Sequence, residues 1–532
     1  MRGILAALVF TAISGSAQAL TVPDGAPPVA VGKVAAAWSQ FVAQPAGATG
    51  QPVTELRLAV QTAAGDAGNG QQYCDFYAVQ TTLADGATPA PLPLKARPQL
   101  GISGYDIALC TAVLATDVAL AEAMEKDAGG SLQAALVAPS GYNGATPVRV
   151  HGPASLGLRH KDGGADALRM VTLGDTGCRG RMAVDSHSRF YQDCDSWALP
   201  DLARNAASED PDLVVHVGDF RYFWEPHRDN PVSPDTWPYW MTDFFSAAQP
   251  LLLAAPWVFS RGNHEVCDPG WYGTGWHYLF GSDARDAKTL PAQACPFSPV
   301  PMWTLDVAPG GNTAGPAVHR FVIIDSARSS QTSLTTDFQT ALGLTNPDSV
   351  WWVSHVPAFN LLEYADCRGC TPGYHLGDTN VQFALRTATR NITLCDPTRR
   401  NAPACLPSTL LLGHQHLFQQ IEFFGENATS GAYVFPQSYI VGHGGTRIDS
   451  SGLSGSPCTF AGFDLGQVTD SAGQETARAY NGVVHSASDF GYVVWTRSAA
   501  TLAEPSGWRA ETRDAAGNPM PTGQPNSNVP PC

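Results

Sequence analysis

Apolar residues fall into two regimes along this chain. From Arg169 onward, short continuous runs recur (RMVTLGD, DLVVHVGD, APWVFSRGN, HRFVIIDS, VWWVSHVP and TLLLGHQH), and each stops on Gly, Asp, Asn or His. Continuous rather than alternating hydrophobicity marks strands covered on both faces. Between some of them, SWALPDLARNAASEDP and TDFQTALGL space their apolar residues as helices do. The pattern predicts an α/β fold built in layers. Residues 20 to 165 differ, because runs such as ELRLAV and AALVAP are broken every few residues by turn formers. A small β-rich N-terminal domain is expected there.

The two ends change the picture again. MRGILAALVFTAISGSAQA carries Arg2, an apolar run from Ile4 to Ile13 and small residues up to Ala19, the layout of a secretory signal,. Beyond residue 500 the chain turns to Pro, Gly, Asn and Ser. The expected division is a signal peptide over 1–19, the β-rich domain over 20–165, the main α/β domain over 166–500 and a C-terminal tail over 501–532. No later run reaches the roughly 18 apolar residues that span a bilayer, so a secreted or periplasmic protein without stable membrane insertion is expected.

At 44% hydrophobic and 15% charged residues, the 532-residue chain is ordinary globular material,. Twelve cysteines suit an oxidising compartment, where thiols pair and stay paired,. Cys367 and Cys370 in DCRGC, with Cys395 and Cys405, could also form a zinc ribbon, but their irregular spacing and the exported context favour disulfides. A formal charge of -16 repels duplex nucleic acid at long range,. Any phosphate handled here must meet a local cation, and with lysine scarce that means a metal or arginine.

Candidate chemistry gathers where the apolar runs stop: Asp175 in LGDTGC, Asp219 and Tyr222 in VGDFRY, Asn263 and His264 in RGNHEV, His355 in VSHVP, and His414 and His416 in LGHQHL. In α/β sheets, sites collect at the carboxyl ends of strands. Carboxylate, amide, phenol and imidazole donors suit a pair of borderline-to-hard metal ions. In GHQH the two imidazoles, two residues apart on extended chain, can face one cavity. Singly, each residue has a plainer use as helix cap, turn or core group; five such stops in order point to metal. His216, inside its strand, reads as structural, whereas His443 in VGHGGT is a candidate substrate contact.

This set resembles the calcineurin-like metallophosphoesterases, and within them is most similar to the purple acid phosphatases, over roughly residues 169 to 447. The resemblance implies a layered β-sandwich flanked by helices. In the broad family the first motif is Asp-x-His; here Gly177 stands in the histidine's place, and Tyr222 lies three residues after the second aspartate, where the purple enzymes have a tyrosine ligand. The two departures form one substitution. The resemblance implies Asp175, Asp219, Tyr222 and His416 on the first metal and Asp219, Asn263, His355 and His414 on the second, Asp219 bridging. A hard phenolate favours iron(III) in the first site, with a divalent iron, zinc or manganese in the second. Trp352, three residues before His355, replaces a usual valine.

Two cations about 3.5 to 4 Å apart can acidify a shared water, giving in-line attack of a metal-bound hydroxide on a phosphate ester. His264 is the catalytic candidate, touching the phosphoryl group or protonating the leaving alcohol. The expected activity is hydrolysis of small phosphate monoesters. A phosphodiesterase or nucleotidase with the same site is the alternative, and a retired surface-binding protein is a further one. Oligomeric state is not legible.

Overall fold

A computed structural model describes residues 31–43, 53–66, 70–81, 92–98, 104–113, 132–137, 148–150, 168–179, 192–222, 235–266, 273–281, 300–307, 319–327, 330–344, 349–363, 374–375, 377–389, 407–424, 435–449, 457–464, 468–469, 475–476, 479–497 and 508–520. The expected signal sequence and the DCRGC cysteines lie outside them. Every one of the six apolar runs forms a strand, and the two helical patterns form helices Leu199–Ser208 and Gln331–Leu342. Ser330 caps the latter, its hydroxyl accepting the Ser333 amide at 3.2 Å,.

The strands make two large sheets. One has nine strands in the order Arg509–Asp514, Gly491–Arg497, Leu168–Leu173, Leu213–His216, Trp257–Phe259, Val34–Val42, Val53–Gln61, Ile107–Val113 and Lys95–Ala96. The other has eight, in the order Trp303–Val307, His319–Ile323, Ser349–Val353, Thr409–Leu412, Gln437–Val441, Phe418–Phe424, Ala479–Ala487 and Cys458–Asp464. In each sheet the motif-bearing strands are parallel neighbours: Leu168–Leu173, Leu213–His216 and Trp257–Phe259 in the first, Ser349–Val353 and Thr409–Leu412 in the second. Their carboxyl ends therefore lie together at one edge of each sheet.

Two-sided burial explains the continuous apolar runs. Met170, Leu213 and Val215 join Phe321, Trp351, Leu411 and Trp495 in one core between the sheets. Val171, Leu173 and Val214 face the other way, against the helical residues Leu199, Leu202, Phe244 and Leu251. On the far side, Val322, Trp352 and Leu412 pack on Leu334, Phe338 and Leu385. The result is helix, sheet, sheet, helix, the expected layered architecture. Trp352 belongs to the outermost layer, where its ring stacks on Phe338 at 5.1 Å and 11°. A bulky residue there fills the helix interface and leaves the strand end unchanged.

The N-terminal region is β-rich as expected, and four of its strands continue the nine-stranded sheet, beginning with Val34–Val42 parallel to Trp257–Phe259. Buried polar side chains fix that junction. Gln40 donates to the Phe280 carbonyl at 2.8 Å, Arg57 to those of Leu279 and Gly281, and Arg97 to that of Gly281 at 3.0 Å. These carbonyls end the short helix Gly273–Leu279, whose last turn has no intrahelical donors to offer them,. Part of the expected tail is likewise integral: Arg509–Asp514 pairs antiparallel with Gly491–Arg497. Its polar sequence, RAETRD, fits a sheet edge guarded by charge,.

Disulfides join Cys74 to Cys110 and Cys178 to Cys194. Among the described residues no helix is long and apolar enough to cross a membrane.

Candidate metal centre

Each motif lies on the turn that leaves a strand. After Leu168–Leu173 and Leu213–His216 the chain bends sharply through Gly-Asp pairs, and Asp175 and Asp219 take left-handed backbone angles, φ 54° and 57°. His414 does the same at φ 73°. Of the four described non-glycine residues with positive φ, three are motif residues. Such conformations disfavour most side chains and concentrate at functional sites. Asp175 and Thr176 donate their amides to the carbonyls of Gly218 and Asp219, both at 2.9 Å, tying the first two loops together.

The turns converge on two neighbouring donor sets. In the first, the Tyr222 hydroxyl lies 2.7 Å from Asp175 Oδ1, 2.7 Å from Asp219 Oδ2 and 2.9 Å from His416 Nε2. In the second, Asn263 Oδ1 lies 2.9 Å from His355 Nε2 and 2.6 Å from His414 Nδ1, with Asp219 Oδ2 3.2 Å from His355 Nε2. Asp219, His355 and His414 each present a donor atom within 4.8 Å of the others. Asp219 is common to both sets. His264 stands beside them, its ring centroid 4.1 Å from that of Tyr222 and its Nε2 3.9 Å from Asp219 Oδ2.

Lone pairs outnumber protons here. His355 Nδ1 lies 2.9 Å from the Val217 carbonyl and His416 Nδ1 lies 3.0 Å from the Arg447 carbonyl. A carbonyl only accepts, so both Nδ1 atoms carry hydrogen and, in the neutral ring, each Nε2 turns a lone pair into the site. Around Tyr222, two carboxylate oxygens and an imidazole nitrogen then compete for one phenolic proton. With His355 neutral, Asn263 Oδ1 against His355 Nε2 sets acceptor against acceptor, a conflict relieved either by a proton on His355 or by a cation,. A cation in each set removes both conflicts, so the residues fit metal ions on donor chemistry alone.

Charge tells the same story. Burial raises the Tyr222 phenol well above its ordinary range, and the charges of Asp175 and Asp219 push it further, so without a cation it keeps its proton. Asp175 is also raised by burial, even though the His355 charge opposes it. Burial alone would raise Asp219 too, but His355 and His264 hold it well below the usual carboxylate range. His355, which burial would lower, is lifted to about 9 by Asp219. In the protein alone a proton on His355 stands where a cation would.

Gly177 explains the missing histidine of the first motif. A Cβ there would lie 2.6 Å from the Tyr222 amide nitrogen and 2.8 Å from both Arg221 Cα and the Phe220 carbonyl oxygen. The backbone that delivers Tyr222 occupies the space a side chain at 177 would need.

Sequence motifs missed the groups that hold these loops. Glu265, fully buried, accepts the amides of Asp219 at 3.0 Å, Phe220 at 2.8 Å and Gly262 at 3.1 Å. Asp449 accepts the His416 amide at 3.0 Å. Asp243 accepts the amides of Cys178 and Tyr222. The only hint was a lone acid in an apolar stretch, WPYWMTDFF for Asp243. The Arg447 carbonyl, being backbone, left no trace. His216 is buried and stacked on Phe220 at 3.9 Å, in keeping with a structural role. His443, considered for substrate contact, is buried near Phe418 and the Gly491 backbone.

A family model described as calcineurin-like phosphoesterase matches residues 168–418, spanning the first strand of the motif set to the residue that opens strand Phe418–Phe424. No curated protein matches the sequence. Solved structures similar to this chain include a purple acid phosphatase from yellow lupin (Lupinus luteus), at 12% identity and TM-score 0.49, covering 91% of this chain and 73% of the other. PhoD is similar at 11% identity and TM-score 0.40, covering 95% of both chains. A dimetal phosphatase from Danio rerio matches at 11% identity and TM-score 0.27, covering 63% of this chain and 96% of the other. The matched model spans the five strand-end motifs up to His416, and the chain accordingly carries a calcineurin-like phosphoesterase domain and is a metal-dependent hydrolase of phosphate esters.

Proposed function

We propose that the protein is an exported binuclear phosphatase that hydrolyses small phosphate monoesters, with iron(III) held by Asp175, Asp219, Tyr222 and His416 and a divalent iron, zinc or manganese held by Asp219, Asn263, His355 and His414. The observation that carries this reading is the Tyr222 hydroxyl, set within 2.9 Å of three acceptor atoms on Asp175, Asp219 and His416. A buried phenol ringed by anionic and neutral acceptors has no use for a neutral partner. It needs a strongly charged cation to displace its proton, and a trivalent ion does this best.

Two bound cations would supply an acidified water and neutralise charge on the phosphoryl oxygens. The protein's own part is to hold the donors still and to move a proton. His264 donates its backbone amide to Asp219 Oδ1 at 2.8 Å, which fixes its loop against the shared carboxylate. Its side chain stands against both donor sets, from where it can donate to the leaving oxygen as the ester bond breaks,. His414 donates its amide to Asp175 Oδ2 at 2.9 Å and leaves Oδ1 for the first donor set. Export is supported by the leader-like first nineteen residues and by disulfides such as Cys74–Cys110 and Cys178–Cys194,.

Metal analysis with rates on 4-nitrophenyl phosphate and bis(4-nitrophenyl) phosphate tests the proposal. Two metals per chain, a faster monoester reaction and loss of most turnover in Asn263→Ala are expected. Wild-type rates in Asn263→Ala would refute the site, and a faster diester reaction would refute the substrate class.

A further inference from the structure

Asp243 lies outside every motif, yet it touches both halves of the Gly177 and Tyr222 exchange. It sits at 1% exposure in a π-helical turn, Met241–Phe245, inserted between helical segments Trp237–Trp240 and Ser246–Ala254. Single π-turns within helices are uncommon and mark functional positions. This one aims a carboxylate at two loops. Asp243 Oδ1 accepts the Cys178 amide at 2.6 Å and Oδ2 accepts the Tyr222 amide at 2.8 Å. Cys178 follows Gly177 directly and is itself tied to Cys194 by a disulfide.

We infer that Asp243 is a positioning residue for Tyr222. The family's histidine would be anchored by its own backbone on the first loop. A tyrosine arriving from the second loop needs that loop pressed against the first, with the backbone at 177 bare. One carboxylate bridging the amides on either side of the contact does this, and the extra residue of the π-turn brings its side chain round to face them. Glu265 performs the corresponding task on the other side, bonding the Asp219 and Phe220 amides to that of Gly262. The loop 218–222 is thus held at both ends by buried carboxylates, and the phenol oxygen is placed to within hydrogen-bond tolerance of Asp175 and Asp219.

The inference rests on the metal assignment above, so the test has two independent readouts. In Asp243→Asn, the amide oxygen can accept one backbone N–H but its NH₂ group meets the other, so one bond is lost without a change of shape. Amide hydrogen exchange of the metal-free protein should accelerate at least about tenfold in peptides containing Tyr222 or Cys178, with little change elsewhere. In the iron-loaded protein the visible tyrosinate band should shift or weaken, and kcat should fall about 10- to 100-fold with KM within about twofold, as for groups that orient a metal ligand. Asp243→Ala should do the same more strongly; if it does not fold, Asp243→Asn alone decides. Wild-type exchange, band and kcat in folded Asp243→Asn would overturn the inference and leave the metal assignment standing. Absence of any band in active, iron-loaded wild-type protein would overturn the metal assignment and, with it, the role given to Asp243.

Discussion

Restoring the histidine that Gly177 replaces should harm this protein rather than return it to the broader family's pattern. The Cβ of any residue at 177 would meet three backbone atoms, at 2.6, 2.8 and 2.8 Å. Ordinary contact distance for such atoms is about 3.5 Å, so the strand-to-loop backbone of 220–222 must retreat by roughly 0.7 to 0.9 Å. None of the three is the tip of a flexible side chain, and Asp243 and Glu265 hold that loop in place. Overpacking of this kind costs about 1 to 3 kcal/mol of stability. Misplacing a reacting group by about 1 Å can cost on the order of a hundredfold in rate. Gly177→Ala alone should therefore lower the midpoint of urea unfolding and cut kcat about a hundredfold, and Gly177→His should fail to restore activity to Tyr222→Phe. Urea titration, kcat on a chromogenic monoester and the visible spectrum of the iron-loaded protein measure all three. Full activity in Gly177→Ala, or recovery in the Gly177→His, Tyr222→Phe double variant, would refute the claim that the Tyr222 loop fills the histidine's place.

Acid should weaken the fold through two buried histidines outside the proposed ligand set. Burial lowers both His319 and His443 from the ordinary 6.5 to about 3. Between those values the unfolded chain binds the extra protons, so stability is intact above about pH 6.5 and falls by up to about 1.4 kcal/mol per histidine for each pH unit below it; a flat thermal midpoint between pH 7 and 4.5 would contradict this. Removal of residues 20–113 should leave no soluble catalytic domain, because it strips the strand beside Trp257–Phe259 and the donors to the carbonyls of Leu279, Phe280 and Gly281; a soluble, cooperatively folding fragment would show that the N-terminal strands are dispensable. Trp351→Ala, in the core between the sheets against Phe321, Trp495 and Trp508, should cost about 3 to 5 kcal/mol in chemical denaturation while metal content per folded molecule stays unchanged,; a loss below about 1 kcal/mol would mean that the inter-sheet core is not tightly packed.

Much of this protein is written in local sequence. Continuous apolar runs determined the strands because burial on two faces leaves no room for alternation, and the residue that stops each run determined what the strand end can offer a metal. Gly177 and Tyr222 could be paired through the resemblance to the purple enzymes, in which a lost ligand and a gained one balance each other. Other features exist only once the chain is folded. Strands from residues 34 to 113 read as a separate β-rich region, because nothing in their composition shows that Val34–Val42 lies beside Trp257–Phe259. RAETRD read as tail because its residues are nearly all polar and carry no apolar run, although in the sheet only Arg509 is exposed. Asp243, Glu265 and the Arg447 carbonyl escaped notice because they act on backbone amides or as backbone, and backbone carries no sequence signal. Donor identity is a property of residues and can be read one motif at a time; the position of a phenol oxygen between two carboxylates is a property of three loops held together, and only the tertiary structure decides it.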